Sequence, residues 1–556
     1  MKRKIAVNVI LFVCCMTLLF TLISGCSKTD NEEETTTTTK ATTTKKDTTT
    51  TTAETTEATT QETTEAMYET PYSFTMIRPP FMLESSDQAT DPSSELYDER
   101  WAIVADRFNV SFSYTSVEWG NWGEKVRLNL ASGTQADVTM ASLGTSEYFD
   151  YIEQEAIPLL PADTETRYPD LWEMVHNVTA IDLFKYEGTL FALPRPLDPG
   201  GINVSYDFMI QLRKDILTEL GFEMKDGYTL DEFYQMGMAV KENYPDMIPY
   251  ASIWTNGLQN FGIEQYCIDR GFHLDEETNQ YVYGAADPAL VEGIKWAKKF
   301  YDEGLFDPDF LTAPDLLENR SLFSTGQIFG NIDGADLGFL NLSRNSFEEN
   351  NPGTNGIDAV DVAFRLSSEG KIMEVINGNW WSEMILDPKM SEDKRDRYLT
   401  LYDWLCSEEG IEMAYYGIEG KDFERDGDRI IPQTEFPPET GGGYLLEFVA
   451  FPGVTLGLND PFVADETKER VLHLFEKREN ADDNVLRNQV DKFKRMYSSP
   501  AMDRAKLRPE DEIMRLISTV SADEIEAEWN KWVEENRSVF EPIVEELNTA
   551  YANYTD

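Results

Sequence analysis

The sequence predicts an α/β protein built as two lobes, and three observations lead to this prediction. The first is length. The chain has 556 residues, and about 490 of them remain for folded structure once an apolar start and a Thr-rich segment are set aside, which is more than one small core accommodates. The second is an alternation of strand and helix patterns that begins at Tyr72. The third is a series of helix-capping signals in the rest of the chain.

The strand and helix patterns begin with a βαβ unit. Apolar and polar residues alternate as in a strand, then recur at helical spacing, then alternate again. The three segments are residues 72–77, 95–108 and 110–114. Such a unit implies a mostly parallel sheet. Residues 124–131 are then predicted as a helix that stops at Gly133, and residues 136–140 as the next buried strand.

Four more helices are predicted from their ends. Residues 229–232 and 521–524 are capping boxes, in which a Ser or Thr and a Glu three residues later satisfy the first amides of a helix. Residues 287–288 begin a third helix, and Gly304 ends it. The fourth helix has an apolar face and is expected to end near Gly410. That face comprises Tyr398, Leu401, Tyr402 and Leu405.

Charge and the scarcity of histidine argue against several functions. Asp and Glu number 101 against 48 Lys and Arg, which gives a formal charge of −53. No nucleic-acid partner is therefore expected, nor adhesion to anionic lipid by charge. The three histidines, His176, His273 and His473, lie far apart without ligand spacing, so a His-based metal site or catalytic triad is not expected either.

Two cysteines, Cys267 and Cys406, lie in the part of the chain predicted to fold. In an exported protein such thiols either form a disulfide or remain small buried apolar groups. The sequence gives no distance between them, and both alternatives stay open.

The first 26 residues have the pattern of an exported, lipid-anchored protein. A basic start, residues 1–4, precedes an apolar run, residues 5–23, which ends in Ser24, Gly25 and Cys26. This ending resembles the lipobox of the lipoprotein signal peptidase family. The resemblance implies a signal peptide over residues 1–25, cleavage before Cys26, and lipid on its sulfur that holds the protein at the extracellular face of the cell membrane. An uncleaved membrane anchor of about 20 residues is the alternative.

Residues 26–66 are predicted to form a disordered tether. Beyond Cys26 they consist almost entirely of Thr, Glu, Lys and Ala, so they lack the apolar side chains that would offset the entropy of folding. As a flexible coil, a segment of this length spans roughly 35 Å between its ends. We expect it to hold the folded part at a distance from the membrane.

Several segments of the folded part resemble a known family. They are residues 130–133, 136–138, 186–194, 212–217, 220–222, 229–232, 301–310 and 416–421. Their order and spacing, together with the lipobox and the Thr-rich segment, resemble the extracellular solute-binding proteins of ABC importers, in particular the large lipoproteins that serve oligosaccharide uptake in Gram-positive bacteria. The resemblance covers nearly all of residues 67–556.

The resemblance implies a periplasmic-binding-protein-like clamp of type II, with hinge crossings between two α/β lobes and extra C-terminal helices. Lobe 1 is expected to comprise residues 67–195 plus 360–425, and lobe 2 residues 196–358 plus 426–556. The run 194–201 is rich in Pro and Gly and suits a first crossing. An ordinary surface loop is the other interpretation of that run.

A sugar site needs flat aromatic surfaces beside planar hydrogen-bonding groups. Trp119 lies in a predicted loop between strand and helix, where clefts of open α/β sheets form. Trp254 and Asn256 stand in a loop that Gly257 closes. Trp380 and Trp381 follow an apolar strand, and because neighbours in an extended chain face opposite ways, we expect one of them in the core and one in the cleft.

Four further residues are candidates for ligand binding. Arg78 ends the first strand and could donate to a hydroxyl or carboxylate of the ligand; a surface ion pair is the alternative. Arg195, Tyr206 and Asp333 are placed near the cleft only by the family resemblance. The arginines leave an acidic sugar as a hypothesis.

No cofactor and no catalytic residue are predicted. Some members of the family carry a structural calcium ion, but no site for one is assigned: residues 275–279 lack the spacing of a calcium loop and fit the tip of a hairpin. The expected function is capture of a sugar or oligosaccharide outside the cell by a monomer that delivers it to the transmembrane subunits of an ABC permease. Another surface carbohydrate-binding protein and a secreted glycoside hydrolase are the alternatives.

Overall fold

The structure is a computed structural model, and it describes most of the chain from residue 68 onward. The described residues are 68–80, 86–196, 208–252, 257–267, 269–275, 277–307, 316–334, 337–376, 378–427, 429–433, 463–479, 485–488, 490–497 and 499–554. The predicted signal peptide, the lipidation site at Cys26 and the tether lie outside them.

The described elements alternate between strands and helices. The strands are β1 Tyr72–Arg78, β2 Val110–Ser116, β3 Val138–Ala141, β4 Lys185–Tyr186, β5 Thr189–Leu190, β6 Leu193–Pro196, β7 Phe208–Arg213, β8 Gly227–Thr229, β9 Ile248–Ser252, β10 Phe272–Asp275, β11 Gln280–Tyr283, β12 Ile328–Gly334, β13 Val360–Leu366, β14 Met373–Ile376, β15 Trp380–Leu386, β16 Phe423–Asp426, β17 Arg429–Pro432 and β18 Val485–Asn488.

The helices are α1 Ser86–Thr90, α2 Glu99–Phe108, α3 Trp122–Ser132, α4 Thr145–Glu153, α5 Thr164–Arg167, α6 Pro169–His176, α7 Lys214–Glu219, α8 Leu230–Asn243, α9 Gly257–Ile263, α10 Ala289–Asp302, α11 Leu316–Ser324, α12 Leu337–Asn350, α13 Gly356–Ala359, α14 Glu392–Cys406, α15 Glu408–Tyr416, α16 Asp465–Glu479, α17 Lys492–Met496, α18 Pro500–Arg504, α19 Pro509–Thr519 and α20 Ile525–Tyr551. Short 3₁₀ turns cover Trp119–Asn121, Ile181–Phe184 and Gly284–Ala286.

The first sheet has the strand order β2-β1-β3-β15-β6. Strands β2, β1 and β3 are parallel, as the βαβ pattern predicts, while β15 runs antiparallel to both β3 and β6. Its core is formed by buried apolar side chains from residues 74–193 and 380–414. We call the part of the molecule built on this sheet the first lobe.

The second sheet has the order β8-β13-β7-β12-β9, and β7 is the strand that runs antiparallel to its neighbours. Its apolar side chains come from residues 209–372 and 463–547; the part built on it is the second lobe. The sequence-based division assigns residues 360–425 to the first lobe, but β13 pairs with β7 and β8 of the second sheet. A pattern of apolar residues predicts a strand without predicting the neighbour to which it bonds.

Chain connections join matching edges of the two sheets. Strand β6 ends at the edge where β1, β2 and β3 also end, and the chain next enters β7 at the edge where β9, β12 and β13 end. From the end of β13, the chain returns to the first sheet and enters β15 at the edge where β3 ends. Two crossings therefore tie the carboxyl edge of one sheet to that of the other, and in open α/β folds ligands bind at such edges.

The local predictions hold where a side chain caps a helix. Thr229 and Glu232 form the reciprocal capping box of α8. Helix α2 begins at Glu99, later than the predicted residue 95, because the carboxylate of Asp98 accepts hydrogen bonds from the amides of Arg100 and Trp101. Helix α14 ends at Cys406 and not near Gly410, since Ser407 caps a new helix that contains Gly410.

Two questions left open by the sequence receive answers. Cys267 and Cys406 are both buried, and they do not form a disulfide with each other, so the alternative of small buried groups is the one that the structure supports. Strands β10 and β11 form a hairpin in which Asp275 pairs with Gln280, as the hairpin interpretation predicts. Among the helices that the structure describes, none combines the length and the apolar character needed to span a membrane.

Candidate ligand-binding site

Three indoles form a cluster at the carboxyl edge of the first sheet. The ring centroid of Trp381 lies 5.7 Å from that of Trp119 and 5.9 Å from that of Trp122, and Trp119 stands edge-on to Trp122 at 6.0 Å. Trp122 is buried, Trp381 is half-buried, and Trp119 is 46% exposed. We call these three residues the indole cluster. The rings are inclined to one another, and the exposed ring of Trp119, packed against the other two, offers a flat apolar face that suits the C–H face of a sugar ring.

Local backbone structure explains the different exposures. The 3₁₀ turn 119–121 leads directly into α3, so Trp119 projects from the turn while Trp122 begins the helix. The indole N–H of Trp122 donates to the carbonyl of Met140 at 2.9 Å, which fixes its ring against β3. Trp381 lies at an irregularity in the pairing of β15 with β6, between Trp380 and Ser382. A β-bulge of this kind re-aims a side chain at the end of a strand.

Trp380 does not belong to the indole cluster. It is 8% exposed, and its ring packs edge-on against Phe184 with centroids 5.5 Å apart. A Cβ atom on Gly378 would overlap that ring, so the glycine makes room for it. The structure therefore buries Trp380 in the first core and leaves its neighbour Trp381 at the edge of the sheet, in line with the alternation that the sequence predicts.

Two predicted arginines lie behind aromatic rings of the same edge. The guanidinium carbon of Arg195 is 5.1 Å from the ring centroid of Trp381, and its Nη1 donates to Ser382 Oγ at 2.9 Å. The guanidinium of Arg78 lies 4.5 Å from the ring of Tyr114 and donates to the carbonyl of Pro79 at 3.0 Å. Each arginine is only 1% exposed. Arg78 is therefore not a surface residue, and both cations lie against the aromatic rings of this edge.

A buried carboxyl group, that of Glu383, follows Ser382, the hydrogen-bond partner of Arg195, in strand β15. Glu383 is 2% exposed and accepts hydrogen bonds from the hydroxyl of Tyr148 and from the amide of Leu143, the latter at 3.3 Å. Burial raises the pKa of Glu383 from 4.5 to about 7, while the Tyr148 and Leu143 hydrogen bonds and the charge of Arg495 act in the opposite direction. The group is therefore partly protonated at neutral pH.

The carboxyl edge of the second sheet presents an ion pair. Asp333, one residue before the end of β12, is 1% exposed and accepts two hydrogen bonds of 2.7 Å each from Arg320 Nε and Nη2. The guanidinium of Arg320 also lies 4.7 Å from the ring centroid of Phe339. Its side chain is 22% exposed, and Asp333 fixes the orientation of the guanidinium through the Nε and Nη2 donors.

Three predicted binding residues, Tyr206, Trp254 and Asn256, lie outside the described residues. Their roles stay predictions. Of the others, Trp119, Arg195 and Trp381 come together at one edge, Arg78 lies at the same edge behind Tyr114, and Asp333 lies at the edge of the second sheet.

Sequence reasoning missed Tyr114, Arg320 and Phe339. The sequence predicts Tyr114 only as one residue of the alternating strand 110–114. Arg320 lies 13 positions before Asp333 on a separate helix, and no sequence spacing signals that pairing. Within the part of the chain that the structure describes, no group of three or more His, Cys, Asp or Glu residues is placed to hold a metal ion.

Comparison with known proteins gives matches at the level of structure. No family model matches the chain, and no curated protein sequence matches it. An alginate-binding protein solved without calcium ion superposes with a TM-score of 0.60 at 12% identity, covering 88% of this chain and 100% of its own. The N-glycan transport solute-binding protein of Streptococcus pneumoniae gives 0.55 at 15% identity, covering 87% and 98%.

A third structure is the ABC-transporter substrate-binding protein FusA of S. pneumoniae in complex with kestose. Its TM-score is 0.61 at 15% identity, with 87% of this chain and 99% of the other covered. All three are binding proteins by name, not enzymes. The chain thus has the fold of the sugar-binding solute-binding proteins of ABC importers, and the predicted fold class, a two-lobed periplasmic-binding-protein-like clamp, is confirmed.

Proposed function

We propose that this protein is a lipid-anchored extracellular receptor that captures a sugar or oligosaccharide and delivers it to an ABC permease. The observation that carries the proposal is the indole cluster at the carboxyl edge of the first sheet, joined by two crossings to an edge that presents Arg320. An aromatic surface on one side and a planar donor on the other match the two faces of a sugar.

No covalent step is part of this function. Affinity comes from stacking and hydrogen bonds between the lobes, and coupling to the permease comes from the different shapes of the open and closed forms. Proteins of the same fold bind alginate, N-glycan or kestose by name, which supports a saccharide as ligand. Lipid on Cys26 keeps the receptor at the outer face of the membrane.

Thermal-shift measurements against neutral and acidic oligosaccharides test the ligand class, because a ligand that binds the native state raises the melting temperature by mass action. A positive ligand should also make the protein more compact in small-angle scattering. A rise in melting temperature without compaction would favour a surface carbohydrate-binding protein that does not close. Shortening of the sugar during incubation would favour a glycoside hydrolase.

The anchor requires a separate test. Replacement of Cys26 by Ala should move the protein from the membrane fraction to the medium or leave its signal peptide uncleaved, and mass spectrometry of the parent should find lipid on residue 26. Membrane retention of the variant with a cleaved N-terminus would contradict lipid anchoring through Cys26.

A further inference from the structure

Residues 490–497, which follow β18, pack against both lobes. Strand β18 pairs in parallel with β14, which belongs to the crossing between β13 and β15. Two residues later, Val490 packs against the core of the first lobe, whereas Phe493 is 5% exposed and belongs to the core of the second. A segment of eight residues thus contacts two cores that are otherwise built on separate sheets. We call residues 490–497 the strap.

The strap is firmly attached to the second lobe. The ring of Phe493 lies 5.3 to 5.4 Å from the rings of Tyr281, Tyr551 and Tyr554. The carboxylate of Asp491 accepts a hydrogen bond from the hydroxyl of Tyr281, and it also caps α17 within the strap. Buried aromatic contacts and a capped helix leave this attachment little freedom to move.

Its attachment to the first lobe combines the packing of Val490, contacts of α17 with α4 and with the 3₁₀ turn Ile181–Phe184, and a cation on a ring. The guanidinium carbon of Arg495 lies 5.2 Å from the ring centroid of Trp380. Its charge also acts on the buried carboxyl group of Glu383. The next residue after Trp380 is Trp381 of the indole cluster, so the contact is made directly behind the candidate ligand surface.

We propose that the strap sets the position of the second lobe relative to the indole cluster, with Phe493 as its anchor and Arg495 as a positioning residue on Trp380. A rigid segment that holds one lobe by a buried ring, and the other by packing together with a cation–π contact, is compatible with a narrow range of lobe orientations. When the Arg495 cation is removed, the two lobes populate additional relative orientations. The consequence for ligand affinity rests on the proposed function, but the effect on lobe position does not.

The distance between the lobes can be measured without any sugar. Spin labels on Leu128→Cys, in the first lobe, and Val539→Cys, in the second, occupy exposed sites, and the two cysteines of the described residues, Cys267 and Cys406, are buried. In the purified, ligand-free protein, we expect Arg495→Ala to shift the inter-lobe distance distribution or to widen it at least twofold. Arg495→Lys, which keeps a cation, should retain the parental distribution.

Two further variants make the result specific. Arg508→Ala is the matched control, because Arg508 has a side chain that is 79% exposed and contacts only Asp511 among the ion pairs of the described residues; its distances should equal those of the parent. Arg495→Gln removes the charge but keeps the stem, and it replaces Arg495→Ala if that variant does not fold. Parental distances in Arg495→Ala or Arg495→Gln, with or without a lower melting temperature, would overturn the proposal. Absence of sugar binding would leave it intact.

Discussion

The two sheet edges at the candidate site hold their charges in opposite ways. At the first edge, the cations of Arg78 and Arg195 are 1% exposed and lie behind aromatic rings. At the second edge, the anion of Asp333 is buried and Arg320 stands in front of it, partly open to solvent. The first edge therefore presents rings, and the second presents hydrogen-bond donors.

This difference implies that the two edges contribute differently to ligand binding. Stacking on an indole depends on the flatness of a sugar face and tolerates different hydroxyl patterns, whereas a hydrogen bond from a guanidinium of fixed orientation depends on the position of an individual oxygen atom. We therefore expect the first edge to supply most of the affinity and the second to supply most of the selectivity. Four variants, arranged from the largest expected effect to the smallest, test how charge is held at the second edge and behind the first, and how much affinity the first edge supplies.

The largest effect is expected at the second edge, from Arg320→Ala. The substitution leaves the carboxylate of Asp333 buried without its ion-pair partner, although it still accepts a hydrogen bond of 2.7 Å from the amide of Gly334. Removing one partner of a buried ion pair costs about 3 to 5 kcal/mol, and the partial exposure of Arg320 favours the lower end of that range. Urea unfolding measures the loss of stability.

The exposed pair of Arg508 and Asp511 is the matched control for this substitution. Its side chains are 79% and 72% exposed, so Arg508→Ala should change the free energy of unfolding by no more than about 0.5 kcal/mol. Equal losses in Arg320→Ala and Arg508→Ala would show that the ion pair at the second edge has no special role.

The second effect concerns the buried carboxyl group behind the first edge. Because the pKa of Glu383 in the folded protein is about 7, above its ordinary value of 4.5, the native state binds more protons than the unfolded state between these two pH values. Stability of the parent should therefore fall as pH rises through that window. A pKa difference of this size corresponds to roughly 3 kcal/mol.

Glu383→Gln removes the titration and keeps an oxygen that accepts from Tyr148 and from the amide of Leu143. Relative to the parent, the variant should gain up to about 3 kcal/mol in stability between pH 4.5 and pH 8, as measured by urea unfolding across that range. A difference between variant and parent that does not change with pH would mean that the carboxyl group does not titrate in this window.

Third in size is the effect of Trp381→Ala on ligand affinity. Trp381 contacts both other indoles and covers the guanidinium of Arg195, so its removal takes away the centre of the stacking surface. A central aromatic residue of a binding surface commonly contributes about 10- to 100-fold in affinity. Calorimetry with the tightest oligosaccharide of the thermal-shift panel measures the change.

Trp381→Phe is the control for that variant, because it keeps an aromatic face at the same position. We expect it to retain most of the affinity. If Trp381→Ala binds as tightly as the parent, the first edge does not supply the stacking surface, and the proposed difference between the edges is wrong.

How much of this site the sequence predicts depends on whether the relevant contact is local. The capping box of Thr229 and the opposite placement of Trp380 and Trp381 follow from neighbouring residues, and both are predicted. Which of the two indoles is buried depends on Phe184, almost two hundred positions away. The partner of β13 and the pairing of Arg320 with Asp333 are likewise set by the packing of distant segments.

The same reasoning explains the arginines. A basic residue at the end of a strand predicts a polar group near the cleft, and Arg78 and Arg195 do lie at the edge of the first sheet. Their burial behind Tyr114 and Trp381 depends on rings contributed by other strands. Sequence patterns therefore indicate the sheet edge at which these arginines lie, but they do not indicate whether the side chains are exposed or buried behind aromatic rings.

The smallest effect on stability is expected for Trp119→Ala, and this variant separates ligand binding from packing most clearly. Trp119 is 46% exposed at the rim of the indole cluster and packs against Trp122 and Trp381, so its loss should lower the free energy of unfolding by only about 1 kcal/mol. If its exposed ring stacks on the ligand, affinity should nevertheless fall about tenfold. Leu128→Ala, at a 59% exposed position on the helix that follows, should change neither quantity. An unchanged affinity in Trp119→Ala would confine the ligand surface to Trp381 and weaken the contrast between the two edges.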